Sequence, residues 1–240
     1  MNSNSPENAR QIIEECIQKT RDLMANNKHK YAVANANKAF QLADDLYNTT
    51  GVTYDYQNLL ESSLLLGKTN EVLFRREKVN EYRNDALKYY NKAFRMLDEQ
   101  VEINLENSRN MVEVLLTITE LLNANPQNED VKTFKCLIAN AGSLYRKYKN
   151  IDDCKRYTLA LIYFGDYYTL LKNHKKAVTY YVKASKLLER CYVIIHDVQV
   201  ENELATLYRK IIDSYMVADK RKRSVKWSDK LYAIENYGSN

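Results

Sequence analysis

The sequence predicts an all-α protein of about ten helices stacked as antiparallel hairpins, and three observations carry that prediction. Turn formers are scarce, with 5 glycines and 2 prolines in 240 residues where average usage gives about 12 per cent; a sandwich or barrel needs many more. Apolar residues recur at three- and four-residue steps along most of the chain, which is the period of one helix face. The clearest pair of such segments, Thr158 to Arg190, is interrupted only at Lys172-Asn173-His174, so its two helices must run antiparallel.

Ser5 and Pro6 open the first helix as cap and first helical residue, where a missing N–H costs nothing; its period carries it to about Ala25. The second helix covers about 30–47. The third, about 54–82, sets Leu59, Leu66 and Leu73 on one side and contains Gly67, where a bend or break is expected. The fourth runs from about Asn84 to Leu105, and Met111, Leu115, Ile118 and Leu122 mark the fifth. Asn125-Pro126 reads as a second cap-plus-proline start for the sixth, which shows Val131, Phe134, Ile138, Ala141, Tyr145 and Tyr148 in step. Leu161, Phe164, Tyr168 and Leu171 form the stripe of the seventh, and Ala177, Tyr181, Ala184, Leu188 and Cys191 that of the eighth. Val200, Leu204, Leu207, Ile211 and Tyr215 define the ninth, and Trp227, Leu231 and Ile234 the tenth. Asparagine gathers at the breaks because it caps helices and tolerates left-handed backbone.

Within 158–190, Gly165, Ala177 and Ala184 lack bulk where the two helices meet, which lets the backbones approach closely while larger residues fill the gaps. Leu161, Phe164, Gly165 and Tyr168, followed by Ala177, Val178, Tyr181 and Ala184, resemble the packing residues of a tetratricopeptide repeat (TPR) hairpin. The second-helix half of the pattern returns at 84–97, with Ala86, Leu87, Tyr90, Ala93 and Phe94. Weaker copies stand at 29–43 (Ala32, Val33, Ala36, Ala39, Phe40) and 224–235 (Ser224, Val225, Ser228, Leu231, Tyr232). The small residues at 32, 86, 177 and 224 do not follow the 34-residue period of the basic repeat, so the helices are longer, as in kinesin light chains and vesicle-fusion attachment proteins. Ile138, Ala141, Gly142 and Tyr145 also resemble a first helix. Either the sixth helix mimics the pattern, the preferred reading because it leaves five sequential hairpins, or the array is irregular near Asn150.

The resemblance implies one domain over 1–240, a right-handed TPR-like superhelix (α-solenoid), and an inner surface lined mainly by first helices. On that basis the inward positions are Leu159, Ile162, Tyr163, Asp166 and Thr169 in the seventh helix, and Thr206, Arg209, Lys210, Asp213 and Met216 in the ninth. A non-catalytic adaptor holding a peptide or helix of another protein in a concave groove is the expected function, with motor, trafficking or division machinery as the setting by analogy. The lysines and asparagines of a chaperone-tail clamp are absent from the seventh-helix positions. The set in the ninth helix suits an acidic-hydrophobic peptide.

Other features bound the alternatives. The 20 tyrosines, often paired as Tyr89-Tyr90, Tyr167-Tyr168 and Tyr180-Tyr181, should send one ring of each pair into the stack and turn its neighbour about 100° away. Net charge is +5, and Lys220, Arg221, Lys222 and Arg223 with Lys226 beside Trp227 form a basic segment that supports a rival nucleic-acid or nuclear-import reading. Trp227, Leu231 and Tyr232 are candidates for self-association through the last helix. Cys16, Cys136, Cys154 and Cys191 read as scattered core thiols, and Cys191 with His196 cannot complete a zinc site; no metal or cofactor is expected. The five glycines form no phosphate loop or dinucleotide fingerprint, and no nucleophile elbow or paired metal-binding histidines occur, so no enzyme is expected. With no apolar run of membrane-spanning length and no signal-peptide pattern at the start, the expected location is cytoplasmic or nuclear.

Overall fold

A computed structural model of the chain describes residues 5–99, 104–195 and 198–237; His196 and the first four residues lie outside them. The elements are α1 (Pro6–Ala25), α2 (His29–Thr50), α3 (Thr53–Glu77), α4 (Asn80–Asp98), α5 (Leu105–Asn123), a 3-10 turn (Asn128–Asp130), α6 (Val131–Tyr148), α7 (Ile151–Leu170), α8 (His174–Ile195), α9 (Val198–Val217) and α10 (Arg221–Tyr237). No strand occurs among the described residues. Contacts gather into two compact units, 1–103 with α1–α4 and 104–240 with α5–α10.

In the first unit each helix packs on the next, and α1 also touches α3. Ile13, Cys16 and Ile17 of α1 meet Ala39, Ala43 and Leu46 of α2, with Leu59 and Met96 closing the core. Helix α2 presents Ala32, Ala36, Ala39 and Ala43, all fully buried, so the neighbouring backbones can draw in against a surface without bulk. The third helix does not break at Gly67. A Cβ there would stand 3.1 Å from the Tyr90 ring of α4, so this glycine is a packing site. Helix α3 ends instead at Glu77, where Lys78 turns to φ 56° and donates its N–H to the Phe74 carbonyl at 2.8 Å. That stop lets α4 begin at Asn80, ahead of the expected Asn84. The half-pattern at 84–97 thereby acquires its first helix, α3.

In the second unit successive helices again pack on one another, and α5 touches α7. First helix thus meets first helix across α6, which places α6 as the second helix of its own hairpin despite its first-helix-like residues. Asn125-Pro126 is not its start. The 3-10 turn leads into it, with the Gln127 N–H donating to the Asp130 carboxylate at 2.8 Å and the Tyr167 hydroxyl donating to the Gln127 carbonyl at 2.9 Å. The core is aromatic: Phe134 stacks on Phe164 with centroids 5.3 Å apart, and Tyr168 on Tyr180 at 5.7 Å. Tyr167 and Tyr168 are both buried, whereas Tyr181 is buried and Tyr180 only partly. The one-in, one-out reading therefore fails for the pair at 167–168, which lies where α7 is covered by α6 on one side and α8 on the other.

Two kinds of contact recur, with one copy inside each unit. Gly165 faces Tyr181 as Gly67 faces Tyr90, more tightly: a Cβ on Gly165 would lie 2.3 Å from the Tyr181 ring. Arg10 of α1 makes a two-point contact with Asp55 of α3, at 2.8 and 2.9 Å, and Arg109 of α5 repeats it on Asp153 of α7, at 3.1 and 2.9 Å. Both aspartate side chains are fully buried. Paired nitrogens meeting paired oxygens fix direction as well as distance, so each clasp sets the register of one first helix against the next.

Candidate functional site

A groove of about 770 Å³ opens in the second unit along α5, α7 and α9. Leu116 of α5, Leu159, Ile162 and Tyr163 of α7 and Leu207 of α9 supply apolar surface, with Leu188 of α8 beneath. Charges of both signs surround them. Glu113, Asp152, Asp166 and Glu203 are acidic; Lys155, Arg156 and Lys210 are basic. Helical spacing explains why α7 contributes so much: 152, 155, 156, 159, 162, 163 and 166 recur at three- and four-residue steps and share a face.

Part of that charge is internally paired. Arg156 donates to Glu113 and, at 3.1 Å, to Asp153, whose carboxylate also receives Arg109. The hydrogen bonds it donates to Asp153 hold the Arg109 guanidinium above its ordinary pKa. Lys210 donates to Asp166, which also accepts from the Tyr181 hydroxyl at 2.6 Å. Burial first, and the Asp166 charge second, push the Tyr181 phenol far above its usual value, so that hydroxyl stays a donor throughout the physiological range. The same trio of buried tyrosine, carboxylate and cation returns as Tyr208, Glu189 and Lys230. These groups are satisfied supports. Nothing among them forms a nucleophile and base pair, whereas an apolar trough with flanking charges of both signs is suited to holding a peptide or an amphipathic helix.

Six of the ten inward positions line this groove: Leu159, Ile162, Tyr163, Asp166, Thr206 and Lys210. The other four are elsewhere. Thr169 bonds the Gly165 carbonyl and the Tyr181 hydroxyl. Arg209 points to Glu235 of α10. Met216 receives the Ser224 hydroxyl at 3.8 Å, and Asp213 is exposed outside the groove. In α9 the lining runs from Gln199 to Lys210, one to two turns nearer the N-terminus than the sequence suggested. Asn202, Glu203 and the α5 wall were missed. Stepping the period of α7 back from Leu159 would have found Lys155 and Asp152; nothing in the sequence singles out Glu113.

Arg221, Lys222, Arg223 and Lys226 are exposed at the start of α10. Trp227 is buried against Tyr208, ring centroids 5.6 Å apart, so it offers no stacking platform, and of the three self-association candidates only Tyr232 is well exposed. Among the described residues no three His, Cys, Asp or Glu side chains gather as a metal site, and no helix is long and apolar enough to cross a membrane.

No protein-family model matches the chain, and no curated protein matches it. Solved structures do. A Podosopora anserina structure described as kinesin light chain nearly identical TPR-like repeats aligns with a TM-score of 0.62 at 11% identity, over 98% of this chain and 97% of that one. The MamA protein aligns at 0.54 and 15% identity, over 94% and 92%. YrrB, described as a TPR protein with an unusual peptide-binding site, aligns at 0.50 and 13% identity, over 97% and 95%. Helix pairing, close glycine contacts and these likenesses agree: the chain has an all-α, tetratricopeptide-like helical-repeat fold.

Proposed function

We propose that this chain is a non-catalytic interaction scaffold, and that the groove along α5, α7 and α9 receives a peptide or helix of a partner protein. The observation that carries the reading is the groove itself: first helices converge on an apolar trough rimmed by charges of both signs. Helical-repeat folds host protein recognition in other chains, YrrB with its peptide-binding site among them. The reading needs no cofactor and is compatible with a cytoplasmic or nuclear setting.

A photo-crosslinking amino acid in place of Leu159 identifies the occupant in cell extract. With that partner purified, Leu159→Glu and Ile162→Glu are expected to weaken binding at least tenfold, since each puts a charge into apolar contact. Lys222→Glu should leave it unchanged. Wild-type affinity in both groove variants would remove the groove from the function. One observation supports a second reading: Arg221, Lys222 and Arg223 crowd the N-terminal turn of α10, where the helix dipole disfavours cations, so an anionic partner would relieve them. Salt-sensitive RNA binding abolished by Lys222→Glu, with no protein captured at Leu159, would transfer the function to that segment.

A further inference from the structure

Cys154 lies near the start of α7 and Cys191 near the end of α8. Antiparallel packing brings these ends together, opposite the turn at Lys172-Asn173. Each thiol is 2% exposed, and their sulfurs are 2.7 Å apart, not far beyond the disulfide bond length of about 2.05 Å. Cys16 belongs to the first unit, and Cys136 sits beside Asn140 on α6. In sequence the two cysteines gave no sign of being neighbours.

We propose that Cys154 and Cys191 form a dithiol modification site, oxidised by a hydroperoxide to an intramolecular disulfide that closes the open end of the α7–α8 hairpin. One sulfur, as thiolate, attacks the peroxide oxygen and becomes a sulfenic acid, releasing an alcohol, or water from hydrogen peroxide. The second sulfur then displaces the hydroxyl as water, and the S–S bond forms. The two electrons lost by the sulfurs are those that cleave the O–O bond. The resolving sulfur already lies against the attacked one, which favours the disulfide over further oxidation. Burial, and after it the Cys154 contact, push the Cys191 thiol up to about 12. Cys191 is therefore a poor nucleophile at neutral pH, and its own attack should quicken about tenfold per pH unit as its thiolate fraction grows. Asp152 and Lys155, within two residues of Cys154 on α7, line the groove, so the bond would fasten that wall to the helix behind it.

The test is a peptide map of the whole native chain after hydrogen peroxide, with free thiols alkylated before digestion. The expected result is a cross-linked peptide pair carrying Cys154 and Cys191, with Cys16 and Cys136 alkylated. A faster reaction at pH 9 than at pH 8 and a higher denaturation midpoint of the second unit, read by Trp227 fluorescence and reversed by dithiothreitol, should accompany it. Cys154→Ala and Cys191→Ala should each abolish the cross-link. Four alkylated cysteines after treatment, sulfinic acid at either position without the cross-link, or a disulfide only between two chains would each overturn the proposal. The wild-type map decides even if a variant fails to fold.

Discussion

Replacing Gly165 by alanine tests the tightest glycine contact among the described residues. The added methyl would stand 2.3, 2.5 and 2.9 Å from three carbons of the Tyr181 ring, where ordinary carbon contacts lie at about 3.5–4 Å. The ring must therefore retreat by roughly 1 Å or more, away from a helix that also holds its hydroxyl. Its hydroxyl donates to Asp166 at 2.6 Å and shares a bond with Thr169 at 3.0 Å. Overpacking a core costs about 1–3 kcal/mol, and a hydrogen bond to a charged group contributes about 1.5–3. Alanine in a helix returns about 0.5–1. The net expectation is a loss of about 1.5–5.5 kcal/mol from the second unit, with the groove loosened at Asp166. Urea unfolding followed by the fluorescence of Trp227, the chain's one tryptophan, reads that unit directly. Gly67→Ala, in the first unit, is the comparison, read by amide exchange in α3 and α4: its methyl would approach Tyr90 at 3.1 Å, so a shift of a few tenths of an ångström suffices and the net change should stay within about 1 kcal/mol. A Gly165→Ala chain as stable as wild type, or more so, would refute the idea that glycine is required for this helix approach.

The remaining predictions concern other links. Trp227→Ala should cost about 3–5 kcal/mol, the range for truncating a buried large aromatic, measured by circular dichroism because the fluorophore is gone. Lys78→Gly should stabilise the first unit by up to about 1 kcal/mol, because a left-handed position suits glycine better than lysine; native-state amide exchange in α3 and α4 checks it. The Arg10 hydrogen bonds hold Asp55 below the usual carboxylate range, outweighing its burial. A depressed folded value means that this stabilisation is complete above the unfolded pKa of about 3.9 and is lost as pH falls through the depressed value. Amide exchange in α1 and α3 should therefore hold its protection at pH 5 and lose it in stronger acid, while Arg10→Met should be most destabilising near neutrality. An equal effect of that substitution at pH 3 and pH 7 would contradict the clasp. Leu159→Glu, 37% exposed in the wild type, should leave the unfolding midpoint within about 0.5 kcal/mol while removing the photo-identified partner.

The sequence revealed most where a physical rule acts locally. Ser5-Pro6 opens α1 as written, its serine accepting the Asn8 N–H, and the period of α7 and α8 led directly to Gly165 against Tyr181. Rules that depend on a distant partner were harder to see. Gly67 read as a helix breaker because its value lies in Tyr90, on another helix. Asn125-Pro126 looked like a helix start because a cap and a proline were present, but Gln127 and Asp130 supply the cap that the chain uses. Asp55 and Asp153 were indistinguishable from the other acidic residues on helix surfaces until Arg10 and Arg109 were seen to reach them. Cys154 and Cys191 looked like scattered core residues for the same reason. The groove was half legible, since the face of α7 follows from periodicity, while the part of α9 that meets it depends on how two helices cross.

The clasp from Arg109 to Asp153 also bears on how the groove would take a ligand. Sliding α5 against α7 by a single residue would break both arms of that contact and leave the buried Asp153 carboxylate with Arg156 alone. On the proposed reading, the clasp fixes the spacing of the α5 and α7 walls before a partner arrives, and preorganisation of this kind would spare association the cost of ordering the receptor.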